Sequence, residues 1–349
     1  MSEVWVLSGL GAVMGLVLIL PFAVRWVEEE LEAFLLVMGI ASVTLSGIWS
    51  RHVIAEALVE PVKISAAVLV FGLLFRRFRD SLRRRVSAVA ARMGLKLFLF
   101  SVVVGLGLLS SVITAIIAAL VLVEIISGLQ LDRSHERAIV ILTCYSIGLG
   151  AVLTPLGEPL STIATAKLSG PPHAADFFFL ARLLWAWVLG AILLLGLLVL
   201  RLGPGQPTSA AGLMEDAPEE IRTILTRAAK VYVFVAAVVL LGHGFSPIVD
   251  RYLVQMPSSA LYWLNMVSAV LDNATLAAAE ISPRMDADRI RFLLMGLLIS
   301  GGMMIPGNIP NIICAGKLGI RSGEWAKFGI PVGLAFMTVC FIGLRIAGF

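Results

Sequence analysis

Gly307-Asn308-Ile309-Pro310-Asn311-Ile312-Ile313-Cys314-Ala315-Gly316-Lys317-Leu318 repeats a pattern that stands earlier in the chain, at Gly157-Glu158-Pro159-Leu160-Ser161-Thr162-Ile163-Ala164-Thr165-Ala166-Lys167-Leu168. The offset is a constant 150 residues (307 − 157, 317 − 167), with identities at Gly, Ile, Lys and Leu. Each copy sets glycine and proline inside an apolar run. Proline lacks a backbone donor and its ring clashes with the preceding turn, so each run is predicted to be a broken helix. Bare backbone at bilayer depth is tolerated only where it is buried in protein or lines a wet cavity. Upstream, Ser110 to Leu120 resembles Ser268 to Ala278 at an offset of 158, which pairs Thr114 with Asp272. The order of segments also repeats: full span, apolar hairpin with a polar centre, broken span, full span. Interrupted segments at corresponding places in two halves point to a transporter's binding site.

Composition agrees with a membrane setting. The 349 residues are 59% hydrophobic and 14% charged, with a mean hydropathy of +0.97; a soluble domain carries about 25% charged residues. One soluble core cannot bury that much apolar surface, and many runs reach the ~20 residues that cross a bilayer as a helix. The ~10-residue alternation of a membrane β-barrel is absent. The fold class expected is an all-α polytopic membrane protein with two re-entrant hairpins and two broken transmembrane helices. The net charge of +4 arises from basic residues beside apolar runs, which fits positive-inside topology and no nucleic-acid partner. Cys144, Cys314 and Cys340 read as reduced thiols buried in apolar segments. The four histidines are scattered without a ligand pair at helical spacing, so no structural metal site is expected.

Full spans are predicted at Val4–Val24, Leu31–Trp49, Leu58–Phe75, Phe177–Leu200, Val231–Phe245 and Phe328–Ile346. The first lacks a basic start and a small-residue cleavage site, and reads as a retained helix. Leu95 to Leu129 is too long for one crossing and is read as a hairpin. Residues 1–57 then form two N-terminal helices, 58–202 a first repeat, 203–228 a cytoplasmic linker and 229–349 a second, inverted copy. The arginine run at 76–85, set on the cytoplasmic side, puts the loops at 130–137, 201–230 and 319–327 inside, with Arg133, Arg137, Arg201, Arg222, Arg227, Arg321 and Lys327 among their basic residues. The loop at 169–176 falls outside and carries none, while Arg51, Arg251, Arg284, Arg289 and Arg291 run against the bias. Eight crossings, two hairpins and external termini follow.

Candidate site residues come from the second hairpin tip and the two breaks. Ser268-Ala269-Val270-Leu271-Asp272-Asn273-Ala274-Thr275-Leu276 places a carboxylate, an amide and a hydroxyl within apolar sequence. An ionisable group at that depth is a functional-site hypothesis by default. A hard cation takes oxygen ligands. Asp272, Asn273, Thr275, Glu158, Ser161, Thr162, Thr114, Asn308 and Asn311 supply them, and Gly157 and Gly307 expose backbone beside them. Asp272, Asn273, Glu158 and Asn308 are the candidate Na+ ligands. Desolvation favours a protonated carboxylate and a bound cation favours an ionised one, so Na+ and H+ would compete for one site. Helix capping is the structural alternative for Asp272, Asn308 and Asn311, and a hydrogen-bonded loop brace for Glu158. Lys167 and Lys317 read as snorkelling or as pairing with helix C-termini, and Glu124 as an interfacial carboxylate.

At these residues the chain resembles the ion transporter superfamily, which includes NhaD-type sodium/proton antiporters, ArsB-type arsenite efflux proteins and sodium-coupled dicarboxylate carriers. Leu271-Asp272-Asn273 with Thr275 looks like the antiporter hairpin tip, and Gly157-Glu158-Pro159 and Gly307-Asn308 look like the two broken-helix loops. The similarity extends over about residues 58 to 346 and is strongest to small predicted cation transporters. It implies a homodimer in a prokaryotic cytoplasmic membrane, an elevator-like mobile unit, transported Na+ and H+, and no resident cofactor. The first tip, Val112-Ile113-Thr114-Ala115, departs from the polar run of the dicarboxylate carriers. A cation/proton antiporter is therefore the expectation, with a sodium-coupled carboxylate or arsenite-type anion transporter as the alternative. No Ser–His pair or His-Glu-x-x-His motif supports an intramembrane enzyme.

Overall fold

The computed structural model describes residues 3–24, 26–27, 30–129, 131–202, 221–248, 251, 256–271 and 273–348. Asp272, the side chain of Thr275 and most of the predicted linker lie outside the described residues. Among the described residues the chain is helical, with no β-strand.

Helix α1 (Glu3–Ala23) and α2 (Leu31–Ser46) precede α3 (Arg51–Met93). Gly47 closes α2 at φ +71, a left-handed backbone glycine adopts without a Cβ penalty; its N–H reaches the carbonyls of Val43 and Thr44. Ser50 then caps α3 by accepting from the Val53 N–H at 3.2 Å. α3 has 43 residues. At 1.5 Å per residue it is about 64 Å long, roughly twice a bilayer's hydrocarbon core. Its arginine-rich half therefore has to leave the hydrocarbon.

Next come α4 (Leu95–Ile113) and α5 (Ala115–Leu129), hinged at Thr114, then α6 (Arg133–Ala151), α7 (Pro159–Lys167) and α8 (Phe179–Leu202). The second half runs through α9 (Ile221–Gly244), α10 (Ser258–Leu264) with a 3-10 turn at Asn265–Ala269, α11 (Asn273–Glu280), α12 (Ala287–Ser300), α13 (Ile309–Leu318) and α14 (Ser322–Ile346). The predicted hairpins fall on α4/α5 and α10/α11, and the predicted broken spans on α6/α7 and α12/α13.

Among the described residues, four segments are long and apolar enough to cross a membrane: Leu95–Ile113, Phe179–Leu202, Ile221–Ile248 and Ser322–Ile346. Large apolar side chains stand exposed along them, among them Trp185 and Leu197 on α8 and Val339 and Ile342 on α14. A water-soluble monomer does not tolerate apolar surface on that scale, whereas lipid covers it at no cost. α6 and α12 behave differently. Every residue of α6 from Ala138 to Ala151 is buried, as is every residue of α12 from Phe292 to Ser300. A helix apolar on all sides belongs at the centre of the bundle, and these two carry the breaks.

Candidate functional site

Both breaks are built alike. α6 stops at Ala151, and α7 restarts from Glu158, an extended residue (φ −157, ψ 162) followed by Pro159. α12 stops at Ser300, and α13 restarts from Asn308 (φ −155, ψ 146), with Pro310 in its first turn. Proline suits the first turn of a helix because its missing N–H would have no intrahelical acceptor there. Neither Glu158 nor Asn308 caps its helix with its side chain. The capping alternative thus falls away for Asn308, and the leading amides of α13 keep their partial positive charge.

The glycines explain how each chain folds back. A Cβ on Gly157 would collide with the carbonyl of Ala151; one on Gly307 would lie 2.6 Å from the carbonyl of Gly301 and 2.6 Å from that of Ser268. Gly157 and Gly307 stand six residues after Ala151 and Gly301 respectively, so the same close approach is made twice.

Hydrogen bonds between hairpin and broken helix also match. Ser110 Oγ donates to the Ile147 carbonyl at 2.9 Å, and Ser268 Oγ to the Leu297 carbonyl at 3.3 Å. Donors are related by 158 residues and acceptors by 150, the two offsets of the sequence. Ser300 Oγ donates to the Asn265 carbonyl at 2.7 Å; its counterpart Gly150 lies directly against the Gly107 carbonyl, the counterpart of Asn265.

The second tip and the second break meet in a buried polar cluster. Asn273, Asn308 and Asn311 are at most 3% exposed. Asn311 Nδ2 donates to the carbonyls of Gly301 (2.8 Å) and Met304 (2.9 Å), while its Oδ1 has no hydrogen-bond partner among the described residues. The Asn273 amide packs against Gly301, and the Asn308 amide against Gly148 of α6. This brings the second break beside the central helix of the first half.

At the first tip Thr114 adopts φ 74, ψ 150. A β-branched residue rarely occupies that region, and holding one there costs of order 1–3 kcal/mol, a strain that collects at functional sites. Thr114 Oγ1 accepts from the Ile117 N–H at 3.4 Å, and the Ala115 N–H donates to the Gly157 carbonyl at 2.8 Å, tying tip to break. Ser161 Oγ bonds the Glu158 carbonyl (2.7 Å) and Thr162 Oγ1 the Pro155 carbonyl (2.6 Å). These two hydroxyls brace the loop; Ser161 is buried and Thr162 is exposed. Glu158 itself is buried.

The halves interlock reciprocally. α7 packs on α11, and α13 on α5. Lys167 Nζ donates to the Ile281 carbonyl at 3.1 Å, at the end of α11. Lys317 Nζ lies 3.4 Å from Glu124 Oε1, both side chains under a tenth exposed. The expectation of a snorkelling Lys317 and an interfacial Glu124 is corrected: α13 docks deep against α5, where an ammonium is held by a carboxylate rather than by water.

Sequence reasoning gave little weight to Glu280 and none to Asn265. Glu280 is fully buried. Asn265, from the opposite arm, faces it, and its own Oδ1 has no hydrogen-bond partner among the described residues. The available signal was a single polar residue in Leu261-Tyr262-Trp263-Leu264-Asn265-Met266-Val267. Two of the histidines that are scattered in sequence come together in the fold: His52, Glu56 and His243 converge where the start of α3 meets the end of α9.

Fold and site together define a helical membrane protein with two interrupted, buried helices, the second of which meets a cluster of buried asparagines. The chain belongs to the family described as a protein of unknown function (DUF1646), whose model matches residues 7–346. No curated protein matches it.

Proposed function

We propose that the protein is a secondary active transporter that exchanges a monovalent cation, Na+ first, against protons by elevator-like alternating access. The observation that carries this reading is Asn311. Both of its amide hydrogens are committed to backbone carbonyls, so its Oδ1 is a fixed, buried acceptor beside the second break. A buried acceptor without a donor is costly, and a cation stripped of water supplies what it lacks. Unwound carbonyls at 301–307 and, by sequence, Asp272 add further oxygen ligands. Glu158 and Glu280 add buried carboxylates that can exchange a proton for the cation's charge.

Matched hydrogen bonds and reciprocal packing support reading 58–202 and 229–349 as two copies of one unit. With re-entrant hairpins each copy crosses three times, and the copies are inverted. The length of α5, 15 residues or about 22 Å at 1.5 Å per residue, falls short of a full crossing. On this reading the protein is a homodimer of a prokaryotic cytoplasmic membrane and needs no resident cofactor.

The uncapped start of α13 beside neutral Asn308 favours a second reading, sodium-coupled transport of an anion, because helix N-termini attract negative charge. Proteoliposomes loaded with a pH-sensitive dye separate the two. Na+ or Li+ is expected to collapse an imposed pH gradient, Asp272→Asn to abolish the response, and Asn311→Ala to raise the half-saturating cation concentration at least tenfold. A wild-type protein that ignores every cation but moves a dicarboxylate with Na+ would establish the second reading instead.

A further inference from the structure

We propose that His52, Glu56 and His243 bind a divalent transition-metal cation of the Zn2+ type, clasping the start of α3 to the end of α9. The site is separate from the broken helices and does not rest on the transport reading. Glu56 Oε2 lies 2.9 Å from His243 Nε2 and 3.5 Å from His52 Nδ1, and the three ligand atoms lie within 4.8 Å of one another. Ligands held about 2.0–2.1 Å from a tetrahedral Zn2+ stand roughly 3.3–3.4 Å apart. The carboxylate is therefore already at a ligand's distance from both rings, and only the two imidazoles have to draw closer. The rings meet edge to face, with centroids 6.3 Å apart and planes at 84°, so stacking does not lock them apart.

His52 and Glu56 share one face of α3 at i,i+4 spacing. His52 lies in the helix's first turn with its side chain 81% exposed, free to swing inward. His243 comes from the last turn of α9, 187 residues beyond Glu56. Two imidazoles and one carboxylate suit Zn2+, Ni2+ or Cu2+, whereas Ca2+ and Mg2+ require an all-oxygen shell. Three protein ligands leave a fourth position for water. Protonation of the rings competes with the metal, since only neutral imidazole ligates.

The test uses the full chain in detergent, stripped with a chelator and titrated with Zn2+ by calorimetry, with Co2+ absorption as a second readout. One Zn2+ per chain, a raised unfolding temperature and a visible tetrahedral Co2+ band are expected. His52→Ala, at an exposed position that folding does not need, is expected to weaken Zn2+ binding at least tenfold and to remove the Co2+ band; Glu56→Gln acts in the same direction. Wild-type protein that retains no Zn2+, or His52→Ala protein that binds it as tightly as wild type, overturns the site.

Discussion

Gly157→Ala is expected to destabilise the protein by about 3 kcal/mol, at the upper end of what overpacking a tight interior costs, and, on the proposed transport reading, to abolish cation exchange. The argument is steric. The new methyl would fall on the carbonyl oxygen of Ala151, a backbone atom at the end of a buried helix that cannot swing aside as a side chain could. Gly157 also offers its own carbonyl to the Ala115 N–H, so backing the loop away from Ala151 would break its tie to the first hairpin. Gly307→Ala is expected to follow, with the new Cβ 2.6 Å from two carbonyls, those of Gly301 and Ser268. Gly190→Ala is the control. It lies within α8 with nothing within 4 Å of the added carbon, and helix propensity alone predicts a gain of up to about 1 kcal/mol. Thermal unfolding of the three variants in one detergent checks this. Equal stability of Gly157→Ala and Gly190→Ala would mean that the chain does not fold back on itself at the break.

Lys317→Met is expected to cost about 3–5 kcal/mol, the range for removing one member of a buried ion pair. The ammonium and the Glu124 carboxylate are 3.4 Å apart and shielded from water, so the carboxylate would keep its desolvation penalty without the attraction that offsets it. Glu124→Leu should be harmful for the mirror reason. The double variant Lys317→Met/Glu124→Leu is expected to recover most of the loss, because well-packed apolar side chains of similar volume replace a buried pair at little net cost. A double-mutant cycle of unfolding free energies measures the coupling. Additive single effects would show that the two charges do not interact. Lys167→Met removes a donor to the Ile281 carbonyl at 3.1 Å, and its loss is expected to cost at least about 1.5–3 kcal/mol, the scale of a hydrogen bond made by a charged group.

Those two lysines show where the sequence stopped being informative. They occupy equivalent places in the repeat and were assigned one common role, yet one reaches a carbonyl and the other a carboxylate. The difference lies in the partner helix: α11 presents the end of a helix to Lys167, while α5 presents Glu124 to Lys317. Asn265 and Glu280 were hard to rank for a similar reason. Each is one polar residue in an apolar run, and its meaning depends on which arm faces it. His52 and Glu56 drew no attention in the sequence, and His243 joins them only through the packing of α9 on α3.

The chain by itself determined the helical membrane class, the location of both breaks and the two offsets that relate the halves. These follow from properties local in sequence: apolar run length, the missing N–H of proline, and the close approach that glycine permits. Tertiary structure alone decided that each restarted half-helix packs on the opposite half's hairpin, that Asn311 is left with a fixed oxygen, and that His243 reaches Glu56. Such contacts depend on which buried faces meet, those of the lysines and of His243 across more than 100 residues, and packing of that kind leaves no periodic signature in the sequence.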